Sequence, residues 1–143
     1  MDKILQNKLF FQYPKIFKQK NLLMTETCMC WGIECGNGWY NLLDNLCSQL
    51  QFNTDRNGYP QVEAIQVKEK YGTLRFYYTI LPKEDDKYIE RHCGAIDGLV
   101  SFAEYISIEI CENCGSNHNV SQTKRWIVTL CKQCMQDYNK ENK

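Results

Sequence analysis

The sequence predicts an α+β fold: N-terminal helices, a β-hairpin sheet, and a long helix that runs into a four-cysteine finger. Three observations carry this. Trp39, Leu42, Leu43, Leu46, Cys47 and Leu50 recur at helical spacing. Leu74, Phe76, Tyr78 and Ile80 alternate with Thr73, Arg75, Tyr77 and Thr79, as on a half-buried strand. Cys111-Glu112-Asn113-Cys114 and Cys131-Lys132-Gln133-Cys134 form two C-x-x-C pairs with sixteen residues between them.

Lys3 to Phe11 reads as a helix with Ile4, Leu5, Leu9 and Phe10 on one face, stopped near Pro14. The basic segment Lys15 to Lys20 follows. Cys28, Cys30 and Cys35 share a stretch with three glycines and two tryptophans, Thr27 to Tyr40. Such a composition suits a tight loop with bulky anchors, and its thiols, with Cys47, suit burial as structural side chains more than a second metal site. Gly38 opens a helix to about Gln51, and Asn53 to Pro60 has turn composition. Residues 62–80 read as a hairpin about Tyr71-Gly72, with Ile65 and Val67 on one face of the first strand.

Lys83 to Ile110 then reads as one long helix. Glu84, Asp85 and Asp86 sit in its first turn, where the macrodipole favours acids. Ile89, Cys93, Ile96, Val100, Ala103 and Ile110 trace its apolar stripe, widened by Leu99, Phe102 and Ile106. Gly94 and Gly98 within it suit close packing against the sheet. The division expected is an α+β body over 1–108 and a finger over 109–143 packed on it without a flexible linker.

Paired C-x-x-C motifs at this spacing predict one tetrahedral Zn2+ held by Cys111, Cys114, Cys131 and Cys134. Gly115 follows the first pair, where a backbone turning about a metal needs positive φ. Between the pairs, Ser116 to Asn119 is turn chemistry and Trp126 to Leu130 is rich in β-formers. Lys132 to Asn139 suits a helix. This order resembles a treble-clef zinc finger, with a zinc ribbon as the alternative. The resemblance specifies a scaffold and no chemistry.

The composition narrows the function. Apolar residues make up 43% and aromatics 13%, enough for a core. No apolar run approaches the ~20 residues of a membrane span, and the N-terminus lacks the pattern of a signal peptide. Nine cysteines without an export signal read as thiols and metal ligands in a cytoplasmic protein. The net charge is zero but uneven: residues 1–24 carry +4, residues 25–110 carry −6, and residues 111–143 carry +2. A middle section of that sign is poorly suited to wrapping a phosphate backbone.

No catalytic frame is legible. His92 and His118 are the two histidines, and adjacent His92 and Cys93 diverge on a helix. A His-Asn-His nuclease needs a further His after Cys131, a deaminase needs His-x-Glu before its cysteines, and neither is present. No P-loop glycine pattern occurs.

Met24 to Tyr40, Val67 to Tyr77 and the finger together resemble small bacteriophage and prophage proteins, over most of the chain from about residue 13. The resemblance implies a phage accessory protein in the bacterial host cytoplasm. Small proteins of that kind bind and disable host machinery, and some are anti-CRISPR proteins. The implied partner is a host protein, with RNA-guided nuclease complexes among the targets. The alternatives are a nucleic-acid-binding regulator using the finger and the Lys-rich N-terminus, and a metal-dependent nuclease. A partner surface is expected from Tyr13, Phe17, Lys18 and Lys20 in the N-terminal arm and Lys124, Arg125 and Trp126 on the finger. The competing reading places Phe17 and Trp126 in the core.

Overall fold

The computed structural model describes residues 1–83, 87–124 and 126–141. It is an α+β fold with a three-stranded sheet, a two-stranded sheet and a C-terminal cysteine cluster. Helix α1 (Lys3–Gln12) starts on Asp2, whose side chain accepts from the Leu5 amide at 2.9 Å. Strand β1 (Ile33–Glu34) precedes helix α2 (Tyr40–Asn57). Strands β2 (Gln61–Lys70) and β3 (Thr73–Leu81) form the expected hairpin. Helix α3 (Ile89–Ile106) leads through a short turn at Ser107–Glu109 to the finger. The finger holds β4 (Val120–Gln122), β5 (Thr129–Cys131) and α4 (Lys132–Glu141).

The body sheet has the order β1-β2-β3, with β1 parallel and β3 antiparallel to β2. Tyr71 and Gly72 connect β2 to β3 with φ of 54° and 72°. Two positive φ values make a type I′ turn, whose twist matches that of the flanking strands. On β3, Leu74 and Phe76 are buried and Tyr78 and Ile80 pack beside them, as the alternation predicts.

On β2 the expectation fails by one residue. The register shifts between Ala64 and Gln66, so Val62, Ala64 and Val67 enter the core while Ile65 is only half-buried. A bulge adds one residue to one strand and breaks the period-two pattern.

Other boundaries also move. Helix α2 extends through the expected loop to Asn57, because Gly58 (φ 75°) supplies the left-handed C-cap that ends it. In α3, Ile96, Val100 and Ala103 face the core, but Phe102 is exposed. A Cβ at Gly94 or Gly98 would meet nothing within 4 Å, so neither glycine serves close packing. Glu84, Asp85 and Asp86 lie outside the described residues.

The N-terminal segment is part of the body. Tyr13 and Phe17 are only 5% and 0% exposed, so neither offers a partner surface. Leu9, Tyr13, Ile16 and Phe17 continue one apolar stripe past Pro14 into the core. The Tyr13 hydroxyl donates to Asp44 Oδ1 at 2.7 Å, and burial together with that carboxylate raises its pKa. Lys18 reaches Glu63 at 3.3 Å, Lys15 reaches Asp55 at 3.2 Å, and Lys20 lies over the Phe10 ring at 5.7 Å. Lys18 stays exposed beside its ion pair with Glu63 and Lys20 is half-buried, so both remain at the surface.

Of the thiols in the Trp-rich stretch, Cys35 is buried, as is Cys47 on α2. Cys30 is half-buried and donates to the Thr27 carbonyl at 3.2 Å. Cys28 is exposed, which corrects the expectation that these thiols are buried together. Trp39 is the bulky anchor of this stretch, fully buried, whereas Trp31 faces outward.

Candidate metal centre

Four thiols converge at the C-terminal end. The sulfurs of Cys111, Cys114, Cys131 and Cys134 all lie within 4.8 Å of one another. They form one metal-binding group among the described residues. Cys114 and Cys131 are 3.7 Å apart, sulfur to sulfur. Four thiolates at Zn–S distances of about 2.3 Å define a tetrahedron with edges of about 3.8 Å. The Cys114–Cys131 separation matches that edge and is far beyond a disulfide of about 2.05 Å. All nine cysteines are free thiols.

Each half of the site follows from local structure. Cys111 to Gly115 folds as a tight knuckle, in which the Gly115 amide donates to the Cys111 carbonyl at 2.8 Å. Gly115 has φ of 78°, as the turn requires. The Cys111 amide donates to the Ser116 carbonyl at 2.8 Å and closes the knuckle. The second pair comes from a strand–helix junction: β5 ends on Cys131, and α4 places Cys134 in its first turn. Knuckle, hairpin and helix follow in treble-clef order. A ribbon would carry the second pair on another hairpin turn. The expected strand from Trp126 begins only at Thr129, and Trp126 to Val128 lie outside it.

The electrostatics favour thiolate at the junction. Cys131 is held down to about 7, first by the backbone N–H of Cys134 and then by the surrounding thiols. Free amides at a helix N-terminus stabilise an anion there. Cys134 is pushed up to about 12: the Asn113 amide, 3.4 Å from its sulfur, pulls it down, but burial and the three neighbouring thiols outweigh that pull. Cys114 is also raised: the Ser116 backbone pulls it down, but partial desolvation and the Cys111 and Cys131 thiols outweigh that pull. Four thiols sharing protons in this way suit replacement by one divalent cation, which would neutralise the charge that they cannot all carry alone.

The finger is seated by backbone contacts that the sequence analysis missed. The Gly38 amide donates to the Glu112 carbonyl at 2.7 Å, and the Gly36 amide donates to the Glu112 carboxylate at 2.8 Å. Trp39 Nε1 donates to the Ile110 carbonyl at 2.9 Å. On the other side, Thr129 Oγ1 donates to the Gly72 carbonyl at 2.5 Å, and the Glu112 amide donates to the Thr129 carbonyl at 2.9 Å. Glu112 therefore bridges loop, knuckle and hairpin. Burial raises its pKa against the opposing pull of the Gly36 amide. The one sequence signal for this seam is Gly36-Asn37-Gly38, two glycines where backbone meets backbone.

A small second core of Cys111, Leu130 and Cys131, with Val120, Val128, Met135 and Tyr138 packed on it, supports the centre. Trp126 stands outside it, 74% exposed, and Lys124 is exposed beside it. Arg125 lies outside the described residues. The histidines are not at the centre: His118 is exposed in the loop after the knuckle, and His92 stacks on Tyr59 at 4.2 Å in the body. Among the described residues, no helix is long and apolar enough to cross a membrane. No protein-family model matches the chain, and no curated protein or solved structure matches it either.

Proposed function

We propose that the protein is a zinc-stabilised binding protein that acts stoichiometrically, by protein–protein contact, as an inhibitor of host defence machinery in the bacterial cytoplasm. The observation that supports this best is the closed donor set. Four thiolates fill a tetrahedron and leave no position for a water or a substrate. A metal in that setting folds the chain and holds it, and zinc is the metal that four thiolates at this spacing suit.

The seam supports the same reading. The centre is braced from both sides by residues 36–39 and by Gly72, so its rigidity passes into the body. Rigid scaffolds with exposed aromatic side chains make good binding surfaces, because their anchors are ordered before the partner arrives. The resemblance to small phage proteins supplies the target class, a host protein, with RNA-guided nuclease complexes as one candidate.

The test has two stages. Capture from host lysate with the zinc-loaded protein should retain a defence complex. Titration against a fixed amount of that complex should then give inhibition that saturates near equimolar. Full inactivation at about a hundredth of that ratio, with covalent change in the target, would identify turnover and refute the stoichiometric reading.

A further inference from the structure

One exposed surface sets lysines beside aromatic rings. Tyr77, Tyr71 and Trp126 are 39%, 69% and 74% exposed. Lys68 Nζ lies 5.6 Å from the Tyr77 ring centroid, and Lys70 Nζ lies 5.6 Å from that of Tyr71. Lys124 lines the same hollow as Trp126.

These residues line three depressions that share wall residues. A crevice of about 430 Å3 is walled by Lys68, Lys70, Tyr71, Trp126 and Ile127. It shares Lys68 with a hollow of about 530 Å3 that reaches Tyr77 and Ile65, and Trp126 with one of about 600 Å3 that reaches Lys124. Glu69 and Glu26 border the track, but their carboxylates are turned to backbone amides, of Gly72 at 2.6 Å and of Leu23 at 3.1 Å. Those carboxylates keep their charge, so the track carries three lysines against two acids, a net of +1, and Trp126 also borders a hollow lined by Glu112 and Asp137.

We propose that this track binds single-stranded nucleic acid, with bases stacked on Tyr77, Tyr71 and Trp126 and phosphates on Lys68, Lys70 and Lys124. Aromatic faces interleaved with cations suit a strand whose bases and phosphates alternate, and stacking needs no particular base. An acidic protein segment would satisfy the lysines but leave three ring faces in water. A duplex keeps its bases stacked inside and cannot use the rings. The inference goes beyond the inhibitor reading and does not depend on it.

The experiment uses the full zinc-loaded chain and a labelled oligothymidylate of about a dozen nucleotides, within the usual span of such sites. Anisotropy is followed from about 50 to 200 mM salt. With three phosphate contacts, the slope of log K against log salt should be about −2. Lys68→Gln with Lys70→Gln should flatten it to about −0.7. Tyr71→Asn, which keeps the left-handed turn, and Trp126→Ala should each weaken binding by about fivefold or more. Both should leave the melting temperature unchanged. No binding at low salt would overturn the proposal, as would equal affinity for a duplex or unchanged affinity in both ring variants. Equal competition by polyglutamate would assign the track to acidic protein and overturn it too.

Discussion

Replacing Gly38 with alanine tests how the finger is held. A Cβ there would lie 2.1 Å from the Cys111 carbonyl oxygen, 2.4 Å from the Gly115 nitrogen and 2.7 Å from the Glu112 carbonyl oxygen. All three are backbone atoms of the knuckle, so no side chain can swing away. The loop must move off the knuckle instead. Overpacking of this kind costs about 1–3 kcal/mol, and more when backbone is the obstacle. The displacement also breaks the two bonds from Gly36 and Gly38 to Glu112, at about 1 kcal/mol each. The expected loss is about 3–5 kcal/mol, a large share of a typical domain stability. Urea unfolding of the metal-loaded protein reads it. Gly94→Ala is the matched control: it makes the same chemical change in an exposed helix interior with nothing within 4 Å. It should stabilise by about 0.5–1 kcal/mol. If Gly38→Ala unfolds within about 1 kcal/mol of Gly94→Ala, the backbone seam is not what seats the finger.

Purified protein should carry about one equivalent of zinc, and Cys114→Ser should lose it; because Cys114 is exposed, the serine itself disturbs little packing. Full zinc in that variant would remove Cys114 from the ligand set. Phe17→Ala should cost about 3–5 kcal/mol and Trp126→Ala about 0.5 or less, since one is core and the other surface. Alkylation of the loaded protein should mark Cys28 readily and spare Cys35 and Cys47, with the four ligand thiols reacting only after chelation. Burial pushes Cys35 from 9.0 up to about 12. A raised thiol pKa leaves stability intact below the unfolded value, and stability should fall as pH rises between the two. Rapid labelling of Cys35 in the loaded protein at neutral pH would contradict its placement in the core.

The periodic elements were legible in the sequence because the signal repeats. The alternation on β3, the stripe on α2 and the paired C-x-x-C motifs each give several residues pointing one way. What was missed is carried by single residues or by backbone. The bulge on β2 is one extra residue, and no composition marks it. Tyr13 and Phe17 look like a basic, aromatic arm when read beside Lys15, Lys18 and Lys20. Their spacing from Leu9 continues a helical stripe, but Pro14 obscures it. The seam at Gly36 and Gly38 is recognised by the absence of a side chain, which a search for ligands and nucleophiles passes over. Tyr71 was visible as a turn residue, but its partnership with Trp126 requires the finger to be folded against the hairpin.

That partnership links the metal centre to the proposed track. The Gly72 carbonyl receives Thr129 Oγ1 on the buried side of the turn, while Tyr71 projects from its outer side. Thr129 precedes the ligand Cys131 by two residues on β5, and Trp126 lies in the loop just before that strand. A metal that fixes Cys131 therefore fixes the distance between Trp126 and Tyr71. Lys68, Tyr77, Lys70 and Tyr71 stand on the body hairpin and do not need it. Chelation should thus lower oligonucleotide affinity by more than Trp126→Ala does, because Lys124 is lost from the track with Trp126, without removing it altogether. Zinc added back should restore it, and Trp126→Ala should lose only the smaller share due to Lys124 on chelation. Unchanged affinity in fully stripped wild-type protein would mean that the finger takes no part in the track.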